Sequence, residues 1–584
     1  MYEEAKELLR PIIGDEEISF SDTPNPKMGD FSTTVAFDLA KKIEKNPKTV
    51  AEDIVSQLTP EKTRYIKSVK NIGPYINFFV DYNAFGSDIL KKIIGKEWDI
   101  KEKKKKVIIE HTSANPNKPL HMGHLRNAIL GDTLARIFRF LGYSTEVQNY
   151  IDDLGIQVAE TLWGYNHLEI DEQEKFDHLL GKTYVEVEKI KDYKTEKEIR
   201  ALNKKMEEDA TVSRPFVERC LGAQLETLTK LNIDYDVLIF ESDLIHSKIF
   251  DEAYKKIRQN KDIVLEKEGK NKGCLVVKLG HLFPDLENPD KVLIRSDGTA
   301  TYTGKDIAYH LWKFGLIEKN MRYRQWNELY KSSANGEIGT FGNGDMVINV
   351  IGVEQRYPQR IVKLSLELMS HEKRAENFYH LSYEHVSLPE KKFSGRKGTW
   401  VGYTGDELLK EAFLKARKEM EERRPELPKA KKEKIARAVA SGAIRYNILK
   451  YAPEKKIIFR WEDALNLEGD SSPYIQYAHA RCYSILKKAE LSEFEPNFTD
   501  EKEKKLIKTL SKFTAEIERA CELKRPHILA KYLNELATVF NSFYNSLMVI
   551  DSEKEAQRLA LVKATRIVLK EGLALLGIKA LKEM

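Results

Sequence analysis

The chain is poor in cysteine and tryptophan and has no long apolar run. Its four cysteines, Cys220, Cys274, Cys482 and Cys521, lie far apart and form no CxxC pair. That spacing argues against a disulfide framework and against a structural zinc site built from cysteine. No stretch reaches the ~18 apolar residues that a membrane-spanning helix needs, so no membrane association is expected. The opening segment MYEEAKELLRPII lacks the basic-then-apolar pattern of a secretory leader, and a cytoplasmic location is expected. Charge of one sign is also scarce: 96 Lys+Arg against 91 Asp+Glu leave +5. So mild a basic bias permits a nucleic-acid partner without requiring one. What is present is 41% hydrophobic and 32% charged residues over a length of 584. This composition excludes disorder and collagen, and the length exceeds a single hydrophobic core.

Residues 1–100 read as a small α+β domain. MGDFSTTVAFDLAKKI (28–43) places Phe31, Val35, Leu39 and Ile43 four apart, which predicts a helix. NIGPYINFFVDY (71–82) reads as a turn and a strand, and the lysine run at 103–106 as a junction. Val107-Ile108-Ile109 then reads as a strand, followed by a loop holding Pro116 and Pro119. Apolar residues recur at helical spacing from Leu125 to Leu141, with Gly142 placed to end the helix. STEVQNYI (144–151) alternates as a second strand. Strand, helix and strand in this order predict a βαβ unit and hence a parallel sheet. Residues 165–290 are charged and irregular and read as an insertion. Sheet character returns at 291–303 and 346–353, separated by a Gly/Ser/Asn-rich loop at 332–344. From 405 to 584 the pattern is helical. The expected fold is therefore multidomain α/β. It has a small α+β domain (1–100), a Rossmann-type parallel-sheet domain with insertion (101–404) and an all-α domain (405–584).

Three constellations carry chemistry. HTSANPNKPLHMGH (111–124) lies between strand and helix, where open parallel sheets bind ligands. A helix amino terminus attracts anions, Gly123 lets a phosphate or purine approach the backbone, and His121 and His124 add imidazole donors. KKFSGRKG (391–398) offers mobile cations to a polyphosphate, although by itself it reads as a basic surface loop. In SDGTATYTGKDIAYH (296–310), Tyr302 and Asp306 are four apart and share a helix face; a capping role is the simpler reading of that spacing alone.

The string EHTSANPNKPLHMGHLRNAILGD (110–132) resembles the HIGH-motif region of class I aminoacyl-tRNA synthetases in its arginyl form, and the resemblance extends over nearly the whole chain. The octapeptide 391–398 resembles the KMSKS loop of that class, with Phe393 and Gly395 departing from it. The resemblance implies a ligase that activates arginine with ATP, accompanied by Mg²⁺, and transfers it to the terminal adenosine of tRNA(Arg). It implies catalytic roles for His121, His124, Lys118 and Lys392, with Lys118 replacing the lysine missing at Gly395. ATP would be held by His121, Gly123, His124, Lys392, Ser394 and Arg396. Arginine would be held by Glu110, Asn115, Tyr302 and Asp306 and by Glu354 or Gln355. Asn77, Tyr75, Phe78 and Tyr477 would contact tRNA, while Trp461 reads as core. Neither a resident metal nor an editing site is expected, and a monomer is the expected state.

Overall fold

The structure is a computed structural model that describes residues 1–170, 173–280, 289–387 and 403–584. Its central sheet has eight strands: β1 (Lys103–Glu110), β2 (Tyr143–Ile151), β3 (Val237–Phe240), β4 (Arg322–Trp326), β5 (Leu329–Ser332), β6 (Glu337–Ile338), β7 (Met346–Gly352) and β8 (Phe378–Tyr383). They lie in the order β6-β4-β5-β3-β2-β1-β7-β8. Neighbours from β5 to β8 run parallel, while β4 is antiparallel to β5 and β6. The chain moves outward from β1 through β2 and β3, then returns to β7 on the other side of β1. A crevice therefore opens at the carboxyl ends of β1 and β7, the topological switch point.

Alternation along each strand explains why these short apolar runs became sheet. Val107, Ile109, Leu238 and Phe240 enter one core, whereas Ile108, Val237 and Ile239 enter the core on the opposite face. Both faces are covered, so the runs are continuously apolar rather than alternating with polar residues.

Helix α1 (Met122–Phe140) packs on one face, and its buried residues include Arg126, Asn127, Asp132 and Thr133. A helix enclosed by protein must satisfy such groups internally. Arg126 donates to the carbonyls of Glu384, His385, Ala452, Pro453 and Lys455. Asp132 accepts from Arg136 and from the fully buried Arg445, whose other nitrogens donate to the carbonyls of Leu231 and Leu576. These bonds join the sheet domain to the carboxyl-terminal helices. The amino-terminal domain is joined to the same helices: Lys508 and Lys512 pair with Asp22, and the Phe498 N–H donates to Asn83.

Several local expectations are corrected. Phe31 lies in a strand (Phe31–Thr33), and the helix begins only at Val35, because Phe31 stacks on Phe78 at 4.9 Å across paired strands. The lysine run 103–106 is the first half of β1 rather than a junction. Residues 237–240, inside the expected insertion, form β3 and pair in parallel with β2. Lys291–Ile294 belongs to a separate three-stranded antiparallel sheet, and the expected loop at 332–344 contains β6. Each of these strands is held by partners distant in sequence, which override local composition. Trp461 is partly buried, edge-on to Phe459 at 4.9 Å.

Replacing Arg445 by Met should lower stability by about 3–5 kcal/mol, because Asp132 would be left buried with one cation fewer. Chemical denaturation would read this as a lowered midpoint. Adding Asp132→Asn should recover part of the loss; an unchanged midpoint in Arg445→Met would contradict the account.

Candidate active site

β1 ends at Glu110 and turns sharply. Thr112 and Ser113 have φ of 71° and 40°, a conformation that side chains seldom adopt. Tertiary bonds hold it: the Thr112 N–H donates to Asn127 (2.5 Å), the Ser113 N–H to Asn149 (3.0 Å), and the hydroxyls of Thr112 and Tyr235 meet at 2.6 Å. His111 is buried beneath this turn, with burial drawing its imidazole down to about 4. A Cβ at position 131 would come within 2.4 Å of its ring, so Gly131 is what makes room for it. Further along the loop, the Asn115 amide donates to Gln157 (3.2 Å), and Gln224 donates to the carbonyls of Asn115 and Lys118.

His121 caps α1. Its Nδ1 accepts from the Gly123 N–H (3.1 Å), and the His124 Nδ1 accepts from the His121 N–H (3.4 Å). With both Nδ1 atoms accepting, each neutral ring carries its proton on Nε2. Burial, reinforced by the Lys118 charge, lowers His121 to about 4 and lowers His124 as well. The rings stack at 3.8 Å, so the turn presents paired neutral N–H donors at the amino end of α1. Lys118 is half-buried, 5.6 Å from the centre of the Tyr184 ring, and burial lowers its ammonium.

A cluster of carboxylates lies on the same edge. Glu110 ends β1, Asp152 follows β2 and Glu241 follows β3, so adjacent strands deliver them to one crevice. Helix α2 (Tyr302–Lys313) adds Tyr302, Lys305, Asp306 and Lys313. Glu110 is bonded to the fully buried Lys313, which also donates to Asn349 (3.1 Å). Glu110 therefore enters the site already paired with a cation. Tyr302 is largely exposed and borders a cavity of about 440 Å³, lined also by Asp152, Glu241 and Lys305. Asp306 lies one turn deeper. Burial, and then Glu110, raise its carboxyl to about 7; burial and then Glu241 do the same to Asp152.

The remaining expected residues are more scattered. Glu354 and Gln355 sit exposed in a short turn after β7, with Glu354 paired to His385; Gln359, a turn further on, is buried and accepts from Asn349 (2.9 Å). Lys392, Ser394 and Arg396 lie outside the described residues. The described chain that follows them is tied to the histidine turn, since Thr404 bridges to His121 and the Gly405 N–H donates to Leu120 (2.6 Å). Phe78 is fully buried against Phe31, a core residue rather than a stacking surface. Asn77 is also buried, its amide donating to the Tyr75 carbonyl (3.1 Å), while Tyr75 is exposed. Tyr477 lines a cavity of about 720 Å³ with Tyr474, Arg481, Asn541 and Met584.

Sequence reasoning missed Asp152, Glu241, Lys305 and Lys313. One signal was available: VLIFE (237–241) ends an apolar run with glutamate just as VIIE (107–110) does. A further cluster, Asp177, His178 and Asp406, brings ligand atoms within 4.8 Å of one another. Lys175 and Lys230 already pair with Asp406, so this group is charge-balanced without an ion.

Comparison with known proteins places this arrangement. Residues 89–321 and 340–461 match the family described as tRNA synthetases class I (R), catalytic domain; 3–80 match the arginyl tRNA synthetase N terminal domain; 475–584 match the DALR anticodon binding domain. The arginine–tRNA ligase of Pyrococcus furiosus is 50% identical over 604 residues, covering 97% of this chain and 96% of its own length. That of Thermus thermophilus is 38% identical over 585 residues, covering 95% of both chains. The solved arginyl-tRNA synthetase of Thermus thermophilus superposes with a TM-score of 0.87 at 36% identity, covering 100% of this chain and 99% of that one. The domain that carries the paired-histidine helix cap at the switch-point crevice is thus the catalytic domain of a class I aminoacyl-tRNA synthetase. Within that class, the chain belongs to the arginyl-tRNA synthetase family.

Proposed function

We propose that the chain activates arginine with ATP and transfers the arginyl group to the terminal adenosine of tRNA(Arg). One observation supports this most: the histidine donors and the carboxylate cluster follow the carboxyl ends of neighbouring parallel strands of one sheet. The arginine carboxylate attacks the α-phosphorus of ATP, pyrophosphate leaves, and a ribose hydroxyl of the tRNA then attacks the adenylate carbonyl. Both nucleophiles come from substrates, so the protein positions groups and stabilises charge.

His121 and His124 donate Nε2–H to phosphate oxygens as charge shifts onto them. Lys118 supplies a cation to the leaving pyrophosphate, complementing the Mg²⁺ that accompanies ATP. We assign Lys392, Ser394 and Arg396 the same polyphosphate, because the chain after them returns to His121. The guanidinium is read by Tyr302, Asp306, Asp152 and Glu241: a planar cation with five donors suits carboxylates beside an aromatic ring. Asn115, held by Gln157, faces the α-amino and carboxylate end, and Glu354 and Gln355 border the amino group. Tyr75 on the amino-terminal domain and Tyr477 in its cavity offer exposed rings to unstacked tRNA bases. Asn77 contributes through the strand that presents Tyr75.

ATP–pyrophosphate exchange with arginine and with lysine, with and without total tRNA, tests the assignment. Exchange and charging with lysine in place of arginine would overturn it. His124→Ala should depress adenylate formation by about 100-fold or more with little change in arginine affinity. Lys118→Ala should slow the same step by a comparable factor; an unchanged rate would remove Lys118 from the mechanism. Asp152 and Asp306, each raised to about 7, are protonated below that pH in the empty site. Their ionised forms hold the cation, so the KM for arginine should rise as pH falls through 7 and level off above it. A KM that stays flat between pH 6 and 8 would exclude both groups from arginine binding.

A further inference from the structure

The cavity reached by Tyr302 already contains a cation, supplied by the chain itself. Lys305, in the first turn of α2, pairs through its ammonium with Glu241, which is nearly inaccessible to solvent. The second oxygen of Glu241 accepts from the Tyr150 hydroxyl at 2.7 Å. The ammonium also lies 5.7 Å from the centre of the Tyr302 ring. Across the same cavity, Asp152 has one carboxylate oxygen, Oδ1, buried and without a hydrogen-bond partner among the described residues. The site thus shows a cation on one acid and an unanswered acceptor on the next.

We propose that Lys305 is a resident stand-in for the substrate cation: its ammonium occupies part of the cradle that the arginine guanidinium takes, and binding is an exchange of one cation for another on Glu241. The inference rests on reading the cavity as the arginine site.

The chemistry follows from counting donors. An incoming lysine would replace one primary ammonium with another, three donors for three, on the same carboxylate. The exchange gains nothing at Glu241 and leaves Asp152 Oδ1 unanswered. A guanidinium carries five donors in a planar fork and is less strongly hydrated than an ammonium. It can satisfy Glu241 and reach Asp152 at once, and supplying a buried acceptor with its missing partner is where the difference in affinity arises. Lys305 is suited to leave and Lys313 is not. The Lys305 side chain is 20% exposed at the cavity wall, whereas that of Lys313 is 0% exposed and locked between Glu110 and Asn349. The stand-in has a second effect: in the empty enzyme it compensates Glu241, which would otherwise be a buried carboxylate without a cation.

The test compares Lys305→Met and Lys305→Arg with the unmodified full-length chain. It measures the KM and kcat for arginine and the inhibition constant of lysine in arginylation of purified tRNA. In Lys305→Met any incoming cation finds Glu241 vacant, so the arginine KM and the lysine inhibition constant should both fall, by about tenfold, with their ratio kept. In Lys305→Arg the stand-in is itself a guanidinium, so the arginine KM should rise several-fold with kcat retained. The proposal is overturned if neither the arginine KM nor the lysine inhibition constant falls in Lys305→Met. It is equally overturned if both variants lose kcat at an unchanged arginine KM, since Lys305 would then serve the reacting atoms. If Lys305→Met fails to fold, Lys305→Arg, which keeps the charge, decides alone: an unchanged arginine KM overturns the proposal. Tyr302→Ala and Glu241→Gln separate the two levels of inference. If neither alters the arginine KM, the cavity is not the arginine site, and that reading fails whatever Lys305 does.

Discussion

The buried pairing of Asp132 with Arg445 is the constraint on which the rest of the architecture depends. It exists because α1 is enclosed by protein over most of its length, by the sheet on one side and by the carboxyl-terminal helices on the other. A polar group there cannot turn to water, so each one becomes a joint. Asp132 meets Arg445, Arg126 gathers carbonyls from two segments, and Asn127 connects the strained turn after β1 to the Val350 carbonyl in β7. Burial pushes the Asp132 carboxyl up, but Arg445 and Arg136 outweigh it and hold it below the usual carboxylate range. The helix that carries the histidine cap is therefore also the beam to which the carboxyl-terminal helices are fastened.

The second organising feature is charge balance in the crevice. Glu110, Asp152, Glu241 and Asp306 converge from separate strands and from α2. So many carboxylates near one another cannot all ionise without compensation. Lys313 answers Glu110 permanently. Lys305 answers Glu241 provisionally, and protons near neutral pH partly answer Asp152 and Asp306. The four acids are thus compensated in three different ways, by a locked lysine, by a lysine at the cavity wall and by protons. On the neighbouring half of the crevice the imidazoles are kept neutral, which suits donors that must approach a polyphosphate without carrying a fixed charge of their own.

The parts legible in the sequence share a physical cause. The strand at Val107–Ile109, the helix after HMGH and the strand ending at Ile151 are local: alternation, helical spacing and a terminating glycine specify them without reference to distant residues. The histidine turn could be read because capping uses residues within one turn. The misreadings share a cause as well. Phe31 sits at helical spacing with Val35, yet its stacking on Phe78 holds it in a strand. Phe78, expected to meet a base, is taken up by the same stack. β3 was hidden in a charged block because four apolar residues become a strand only when β2 is alongside. Glu241, at its end, was hidden with it.

By itself the sequence determined the class of fold, the donors at the helix cap and the chemistry available to them. These depend on residue type and on spacing over a few positions. Which acids converge on the crevice, and which are already paired, was decided only by the tertiary structure. Glu110 and Glu241 both end apolar strands, yet one is locked to Lys313 and the other holds a displaceable Lys305. That difference depends on where α2 crosses the sheet, and the crossing is set by packing between residues far apart in the chain.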